Sequence, residues 1–317
     1  MSFLMDILTA GSGLGDHDVM KIVWSAPSRY KLYAIPKRNG GQRLISQPAR
    51  ELKALQRIIT SELLSKLPVH NSATAYRSGK SIKDNAAAHA ANGPIKKYDF
   101  RDFFPSIVAQ DWRAYCQRNH IFSDPRDIWI STNLLFHRRL SSTKLNLAIG
   151  APSSPCLSNV LMYDFDTRLS ELVAQEQVTY TRYADDLTFS ARRTGFLTRV
   201  DRMLRQAIRQ TTNPTLTLND SKTVAATTKY KRFVTGLILT NDHKVSLGHE
   251  RKRNIRASLH HYVTGRLDTV EQSRLAGMIA FASDIEPDFI ARLQVKYGTT
   301  AFQQLKAVRL PPRPLGP

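Results

Sequence analysis

The feature that most constrains the fold is the segment YTRYADDLTFS, residues 180–190, in which two adjacent acidic residues separate two short runs of alternating apolar and polar residues. Alternation with this period is typical of a half-buried β-strand, and two such runs predict a β-hairpin. Asp185 and Asp186 would lie at its tip. Aspartate is also a common turn residue, because its carboxylate bonds nearby backbone amides, so the pair alone is compatible with a purely structural role.

Elsewhere the chain predicts helices interleaved with antiparallel strands. Apolar residues at helical spacing predict helices over residues 49–67, 81–92, 109–120, 124–139, 156–175 and 196–210, and a helical region over 250–308. Strands are predicted over 95–100, 215–218 and 230–247, with a hairpin over 30–45 that turns at Asn39, Gly40 and Gly41. Ser154 is predicted to cap the helix over 156–175, with Pro155 at its first position. This order indicates an α+β fold built on antiparallel pieces of sheet.

A third carboxylate completes a candidate metal site. Asp99 stands near the end of the predicted strand over 95–100, and an antiparallel sheet could bring it beside Asp185 and Asp186. Three such carboxylates would repel one another and raise their pKa values, so the cluster favours a divalent cation. Ligation by oxygen alone favours Mg²⁺ or Mn²⁺. Two ions about 3.5–4 Å apart can activate an attacking hydroxyl and stabilise a leaving pyrophosphate during phosphoryl transfer.

The charge of the chain indicates a polyanionic partner. The 317 residues include 46 Lys and Arg against 26 Asp and Glu, a formal net charge of +20. This excess favours nucleic acid, because each neutralised phosphate releases condensed counterions; a merely basic surface is the alternative, and an anionic membrane is a weaker one. Cys116 and Cys156 form no CxxC pair, and no apolar run approaches the length of a membrane span. We therefore expect a cytoplasmic protein with no export signal and no membrane partner.

Three motifs occur in an informative order. YADD at residues 183–186 follows YDFRDFFPS at 98–106 and GAPSSP at 150–155. Together they resemble reverse transcriptases of the right-hand palm type. The resemblance implies fingers, a palm made of an antiparallel sheet packed on helices, and a helical thumb. We expect the N-terminal segment and fingers over 1–95, the palm over 96–240 with a fingers insertion at about 107–146, and the thumb with a C-terminal tail over 241–317.

Within that group the chain is similar to bacterial retron reverse transcriptases, which carry two markers. The first, Asn-Ala-x-x-His, is present as NAAAH at Asn85–His89. On its own this segment indicates only an Ala-rich helix that bears a surface histidine. The second marker, Val-Thr-Gly, occurs at 234–236 and again at 263–265. We assign the marker to the first copy, because it lies in a predicted strand about fifty residues after the aspartate pair, where the family carries it.

The resemblance implies roles for the residues of the catalytic centre. Asp99, Asp185 and Asp186 match the catalytic, metal-binding aspartates, and the carbonyl of Phe100 would be a further ligand. The implied cofactor is a pair of Mg²⁺ ions, for which Mn²⁺ can substitute. Phe104 matches the aromatic gate that blocks a ribose 2′-hydroxyl and so selects deoxynucleotides, whereas core packing is its alternative role.

The resemblance also implies a nucleotide site, whose residues are Arg43, Phe104, Gly150, Ala151, Pro152 and Lys222. Arg43 would contact the incoming triphosphate, and Lys222 is a candidate proton donor to pyrophosphate. Gly150 and the two residues after it would support the nascent base pair through their backbone. Relatives usually carry Gln just before this glycine, whereas Ile149 stands here, so a hydrogen bond to the nucleotide or template is lost.

Template handling is predicted for the C-terminal third. The stretch from Lys229 to Arg266 contains nine Lys or Arg and two acidic residues, interleaved with aromatic residues. Basic side chains for phosphates and aromatic ones for exposed bases suit a structured RNA with loops, whereas a solvated basic helix is the alternative. With the two markers included, the implied RNA-binding residues are Asn85, His89, Val234, Thr235, Gly236, Arg251, Lys252, Arg253 and Arg256.

The resemblance further implies a biological role. Retron relatives copy their own noncoding RNA from the 2′-hydroxyl of an internal guanosine into branched single-stranded DNA (msDNA), and usually act in phage defence. The implied partners are this RNA, its DNA product, dNTPs, an effector or toxin protein and a host RNase H. One alternative is a group II intron-like or diversity-generating reverse transcriptase, against which Ser154-Pro155 replaces the expected Ser-Gln. The other is an idle RNA scaffold that restrains a toxin, against which the aspartate trio argues.

Overall fold

The computed structural model describes residues 2–37, 40–139 and 143–308. They form two compact units, each with its own set of internal contacts. The first unit contains the chain up to Ser81 together with Pro94–Ala225, and the second contains Ile82–Gly93 and the chain from Ala226. The predicted boundaries of fingers, palm and thumb stay predictions, because this division does not separate fingers from palm.

Helices dominate the described residues. The helices predicted over 49–67, 81–92, 109–120, 124–139 and 196–210 each correspond to one observed helix, although the fourth ends at Leu135 and His137–Arg138 form a strand; the two helices before residue 26 were not predicted. The helices are α1 (Phe3–Ser12), α2 (Asp16–Ser25), α3 (Arg50–Glu62), α4 (Ile82–Ala90), α5 (Phe103–Ser106), α6 (Ala109–Arg118), α7 (Pro125–Leu135), α8 (Ser154–Leu161), α9 (Tyr163–Ala174), α10 (Val200–Gln210), α11 (His249–Val263), α12 (Thr269–Ile285), α13 (Pro287–Tyr297) and α14 (Thr299–Ala307). None of these described helices combines the length and apolarity needed to cross a bilayer.

Within residues 2–37, 40–139 and 143–308, the strands form four small sheets. The strands are β1 (Tyr30–Pro36), β2 (Gln42–Pro48), β3 (Ile95–Asp99), β4 (His137–Arg138), β5 (Leu145–Asn146), β6 (Thr179–Tyr183), β7 (Asp186–Ser190), β8 (Val224–Ala226), β9 (Arg232–Val234), β10 (Leu237–Leu239) and β11 (Val245–Ser246). Two sheets are the pairs β1-β2 and β4-β5, and the others have the orders β6-β7-β3-β8 and β11-β10-β9.

The four-stranded sheet organises the first unit. Strand β7 is antiparallel to both β6 and β3, with Tyr183 and Asp99 each paired to Asp186. The predicted hairpin is therefore confirmed, and Ala184 and Asp185 form its two-residue turn. Although apolar and polar residues alternate along them, β6 and β7 are buried on both faces. A polar residue such as Arg182 can lie in the second buried face because its charge is paired there.

The hairpin predicted over 30–45 is also confirmed, and its strands extend to Pro48. Asn39 at its turn lies outside the described residues, as does the C-terminal tail beyond residue 308. Behind the hairpin, α3 buries Leu52, Leu55 and Ile59 at helical spacing in the core of the first unit. This amphipathic face explains why the helix forms where the apolar period predicts it.

The second unit combines the short sheet β9-β10-β11 with helices. Helix α4, although distant in sequence, packs on β10, and Arg232 donates hydrogen bonds to the carbonyls of Asn92 and Gly93 just after that helix. Helices α11 to α14 follow, with Leu259, Leu275 and Phe289 among the buried residues. The predicted helical region over 250–308 is therefore confirmed.

Several predicted boundaries require correction. The helix expected over 156–175 is two helices, because Met162 has a ψ of 0° and interrupts the α-helical geometry. Its first residue is Ser154, so Ser153 takes the N-cap position, and neither serine makes a side-chain capping bond. No strand covers 215–218 in the part of the chain that the structure describes; Leu218 forms only an isolated bridge with Phe100, which is too short for a ladder. Residues 194–197 form a 3₁₀ turn before α10.

Candidate active site

The β6–β7 turn and the end of β3 bring the three predicted aspartates together. Asp99 lies directly opposite Asp186 on the neighbouring strand. Side chains in such a pair have Cβ atoms about 5 Å apart. Asp185 occupies the turn, and its carbonyl accepts a hydrogen bond of 3.2 Å from the backbone N–H of Phe100. The turn needs a positive φ, which Ala184 supplies at 57°.

The local electrostatics favour a cation at this position. Burial, followed by the charges of Asp99 and Asp186, raises the pKa of Asp185 to about 6. Burial also raises the pKa of Asp186, and Asp99 adds to the shift, although Lys97 opposes it. The charged forms of both groups are therefore destabilised, and a positive ion between them would relieve this repulsion.

Lys222 is hydrogen-bonded to one of the three aspartates. Its Nζ donates hydrogen bonds to both carboxylate oxygens of Asp99, at 2.9 and 3.0 Å. These bonds are the main reason that the pKa of Lys222 is raised. Among residues 2–37, 40–139 and 143–308, no three His, Cys, Asp or Glu side chains are arranged as a complete metal site. The oxygen-only donors fit a hard divalent cation, which must compete with Lys222 for Asp99.

A buried arginine, which the sequence analysis did not single out, donates a hydrogen bond to the turn that carries Asp185. Arg182 is 0% exposed and forms a two-pronged ion pair with Asp166 of α9, at 2.6–3.1 Å. Its Nη1 donates to the carbonyl of Ala184 and to Oδ1 of Asn159, both at 3.1 Å. Ala184, which precedes Asp185, is therefore held by the Arg182 guanidinium, and the ion pair with Asp166 fixes that guanidinium in place.

A cavity of about 440 Å³ opens beside the aspartates. The predicted residues that line it are Arg43, Asp99, Phe100, Phe104, Asp185 and Lys222. Ile149, which replaces the usual Gln, also lines it and presents an apolar side chain there. Tyr76, Arg101 and Arg139 line it as well, and no sequence signal singled them out. Basic, aromatic and acidic side chains thus line the same cavity.

The GAPSSP loop lies against the β1–β2 hairpin, close to this cavity. The carbonyl of Ile149 accepts a hydrogen bond of 2.8 Å from the N–H of Ser46 in β2. Gly150 has a φ of +123°, and a Cβ there would stand 3.0 Å from Ile45 Cγ2 and 3.1 Å from the Ser46 carbonyl oxygen. A glycine is required for both reasons. Ala151 and Pro152 follow, but they are not among the described residues that line the cavity.

The two markers meet in the second unit, although about 150 residues separate them. Asn85 and His89 lie on α4 and are buried, at 1% and 0% exposure, so the alternative of a surface histidine is wrong. Thr235 Oγ1 donates a 3.0 Å hydrogen bond to the carbonyl of Ile82 at the start of that helix. Val234 is buried, whereas Gly236 is exposed and accepts a hydrogen bond from Arg251.

The predicted basic residues of α11 differ in their surroundings. Lys252 forms an ion pair of 2.6 Å with Glu286 and is largely covered. Arg251 lies over the ring of Phe281, and Arg256 over the ring of Phe289. Arg253 and Arg256 are exposed and share a surface depression with Lys231 and His249. The exposed arginines are therefore better placed for phosphate contacts than Lys252, and all four remain predictions as RNA contacts.

The geometry first defines a class of protein. A strand-end aspartate beside a hairpin turn that carries two more, next to a basic and aromatic cavity, is what a right-hand polymerase palm requires. The solved structure of telomerase from Candida albicans in complex with a telomeric RNA fragment has a TM-score of 0.50 and 12% identity to this chain. The match covers 90% of this chain and 58% of that one. This similarity concerns the fold alone, which is that of the right-hand polymerases.

Sequence comparison identifies the family. The model for "Reverse transcriptase (RNA-dependent DNA polymerase)" matches residues 35–251. The chain is 36% identical to the Retron Ec83 reverse transcriptase of Escherichia coli, covering 92% of this chain and 94% of that protein. It is 31% identical to the Retron Ec86 reverse transcriptase of the same species, covering 90% and 88%. The chain belongs to the reverse transcriptase family, among the retron reverse transcriptases. Its activity is that of an RNA-directed DNA polymerase, and enzymes of this family use divalent metal ions.

Proposed function

We propose that this enzyme copies a cognate structured noncoding RNA into single-stranded msDNA, starting from the 2′-hydroxyl of an internal guanosine. The observation that carries the proposal is the pairing of Asp99 with Asp186 across β3 and β7, with Asp185 in the adjoining turn. Asp99 and Asp185 line a cavity of about 440 Å³, which supports a site that receives both a nucleotide and a chain end. Similarity to retron reverse transcriptases supports the choice of RNA and product.

Two Mg²⁺ ions, replaceable by Mn²⁺, are the proposed cofactor, and Asp99, Asp185, Asp186 and the carbonyl of Phe100 are the proposed ligands. When bound, such ions lower the pKa of an attacking hydroxyl and stabilise the charge that develops on pyrophosphate. The raised pKa of Asp185 supports this role, because a buried carboxylate between two others gains most from a cation. Lys222 gives up its bonds to Asp99, and its Nζ then donates a proton to an oxygen of the leaving pyrophosphate.

The remaining cavity residues position the nucleotide. Arg43 offers a planar, permanently charged guanidinium to the triphosphate, which suits phosphate oxygens. Phe104 presents its ring to the sugar and excludes a 2′-hydroxyl. The backbone of Gly150, Ala151 and Pro152 supports the nascent base pair, and the close approach of Gly150 to β2 supports this role. Ile149 replaces a polar contact by an apolar one at the same position.

The second unit is the proposed site of RNA recognition. Its exposed Arg253 and Arg256 offer charge to phosphates. Thr235 is hydrogen-bonded to α4 through the Ile82 carbonyl, and Arg251 of α11, the helix that carries both arginines, donates to the Gly236 carbonyl. By similarity to retron relatives, we propose that the enzyme acts in phage defence with an effector protein. A host RNase H would remove the copied template.

The catalytic assignment is tested by primer extension on an RNA template with each of two variants, Asp99→Ala and Asp185→Ala. Both should abolish DNA synthesis while RNA binding, measured by filter retention, stays within about threefold of wild type. Asp164→Ala is the matched control, because Asp164 is a partly exposed acid of α9 whose ion pair with Arg118 lies at the surface. Substantial synthesis by either site variant, with the control unaffected, overturns the assignment.

The retron-specific part has its own test. The gene is expressed with its flanking DNA, and nucleic acid from these cells is treated with RNase and examined for a short single-stranded DNA that retains a branched ribonucleotide. The proposal predicts such a product for wild type and none for Asp185→Ala. Linear DNA alone would favour a group II intron-like enzyme.

A further inference from the structure

Tyr76 is an unusual residue in the wall of the active-site cavity. It is 50% exposed, lines the cavity, and has a φ of +60°. A bulky residue with positive φ is strained, and such residues cluster at functional sites because the surrounding structure must hold them in place. The segment just before it is anchored to the aspartate hairpin: the N–H of Thr74 donates to the carbonyl of Arg182 at 2.9 Å.

The conformation of Tyr76 is fixed by the same group that supports the aspartate turn. Asn159 Nδ2 donates a 2.8 Å hydrogen bond to the carbonyl of Ala75, immediately before Tyr76. Asn159 Oδ1 in turn accepts from Arg182 Nη1, which also donates to the carbonyl of Ala184. Arg182 and Asn159 therefore belong to one hydrogen-bond network, which holds the residue before Tyr76 and the residue before Asp185.

The ring of Tyr76 lies against the ring of Phe104. Their centroids are 6.4 Å apart with an interplanar angle of 52°, a tilted aromatic contact. Phe104 also contacts the ring of buried Phe103, with the ring centroids 5.4 Å apart. Phe104 thus packs against two aromatic rings, one in the core and one in the cavity wall. A side chain packed in this way has little freedom to move aside for an additional hydroxyl.

We propose that Tyr76 is a positioning residue for sugar selection: it keeps Phe104 where its ring excludes a ribose 2′-hydroxyl. This inference rests on the proposed role of Phe104 as the gate. An apolar wall rejects an added hydroxyl only modestly unless it is rigid, so the support of the wall decides the degree of selectivity. The hydroxyl of Tyr76 is not needed for this role, because the contact is made by the ring.

The test is single-nucleotide incorporation opposite an RNA template annealed to a DNA primer, with the ratio of kcat/KM for dGTP to that for rGTP as readout. Tyr76→Ala should lower this ratio roughly tenfold, and Tyr76→Phe should keep it within about twofold. Phe3→Ala removes a 53% exposed aromatic ring far along the chain from the cavity residues, and it should leave the ratio unchanged. Loss of fold alone lowers kcat for both nucleotides and does not change their ratio.

A double-mutant cycle separates positioning from direct contact. If Tyr76 acts through Phe104, Tyr76→Ala should change the ratio no further in a Phe104→Ala background. An equal additional loss in that background overturns the positioning role. If Phe104→Ala lowers the ratio and Tyr76→Ala does not, this inference fails while the gate stands. If Phe104→Ala leaves the ratio unchanged, the gate itself fails.

Discussion

Replacement of Arg182 tests two roles of this residue separately: the stabilisation of the four-stranded sheet and the positioning of the turn that carries Asp185. The side chain is fully buried, pairs with Asp166 through two oxygens, and donates to the carbonyl of Ala184. Arg182→Met keeps an unbranched side chain but makes it apolar, and so removes every one of these bonds. It leaves the carboxylate of Asp166 buried without its counter-charge, although the hydroxyl of Tyr180 still donates to it at 2.8 Å.

The magnitude follows from the unpaired charge. Removal of one partner of a buried ion pair costs about 3–5 kcal/mol, because the other charge stays desolvated. The double variant Arg182→Met/Asp166→Asn removes that charge, and the side-chain amide oxygen that it introduces can still accept from Tyr180. The double variant should therefore be about 2 kcal/mol more stable than the single one. The rate of DNA synthesis by the double variant should nevertheless be about a hundredfold below the wild-type rate, because the Ala184 carbonyl has lost its hydrogen-bond donor and the turn is free to shift.

Urea denaturation gives the free energies of unfolding, and primer extension on RNA gives the rates. Arg118→Met is the control, because the pair of Arg118 with Asp164 is about half exposed and should contribute less than about 1 kcal/mol. If Arg182→Met costs no more than this control, the ion pair is not buried as described. If the double variant synthesises DNA at the wild-type rate, Arg182 does not position the turn.

Three further perturbations have defined outcomes. Because the folded pKa of Asp185 is raised to about 6, its ionisation destabilises the fold as the pH rises from about 4 through 6. Asp185→Asn should therefore raise the free energy of unfolding, measured by urea titration in EDTA, by about 2–3 kcal/mol at pH 8 and leave it unchanged near pH 4. Gly150→Ala should cost about 1–3 kcal/mol and reduce primer extension, whereas Gly195→Ala, whose Cβ meets nothing within 4 Å, should do neither; equal effects would refute the close approach to β2. Lys222→Met frees both oxygens of Asp99, so the enzyme should bind Mn²⁺ about tenfold more tightly, as measured by electron paramagnetic resonance. An unchanged Mn²⁺ affinity would show that Lys222 does not compete with the metal.

The parts of the site that sequence could predict are those encoded locally. The alternating period on each side of Asp185 predicts the β6–β7 hairpin, and the breaker at Gly93-Pro94 predicts the start of β3. The pairing of β3 with β7 depends on contacts between residues about 90 positions apart, which no local pattern encodes. The expectation that Asp99 lies beside Asp185 and Asp186 came from the order of motifs in a known family, and the register of Asp99 opposite Asp186 agrees with it.

Other parts could not be predicted because they depend on tertiary burial. The sequence does not distinguish Arg182 from an exposed arginine; only the fold shows that it is buried and hydrogen-bonded to Asp166 and Asn159. Tyr76 carries no periodic signal, and its strained φ arises from the bonds of its neighbours. His89 lies in an Ala-rich helix that reads as solvent-exposed, yet α4 is buried against β10.

The most direct test of the central claim is an anomalous difference map from crystals of the enzyme with RNA template, DNA primer, a non-hydrolysable dNTP and Mn²⁺. We expect manganese peaks within coordination distance of carboxylate oxygens of Asp99 and Asp185, with Lys222 withdrawn from Asp99. An ordered substrate complex in which Mn²⁺ binds elsewhere, and in which Lys222 still holds Asp99, would contradict this arrangement.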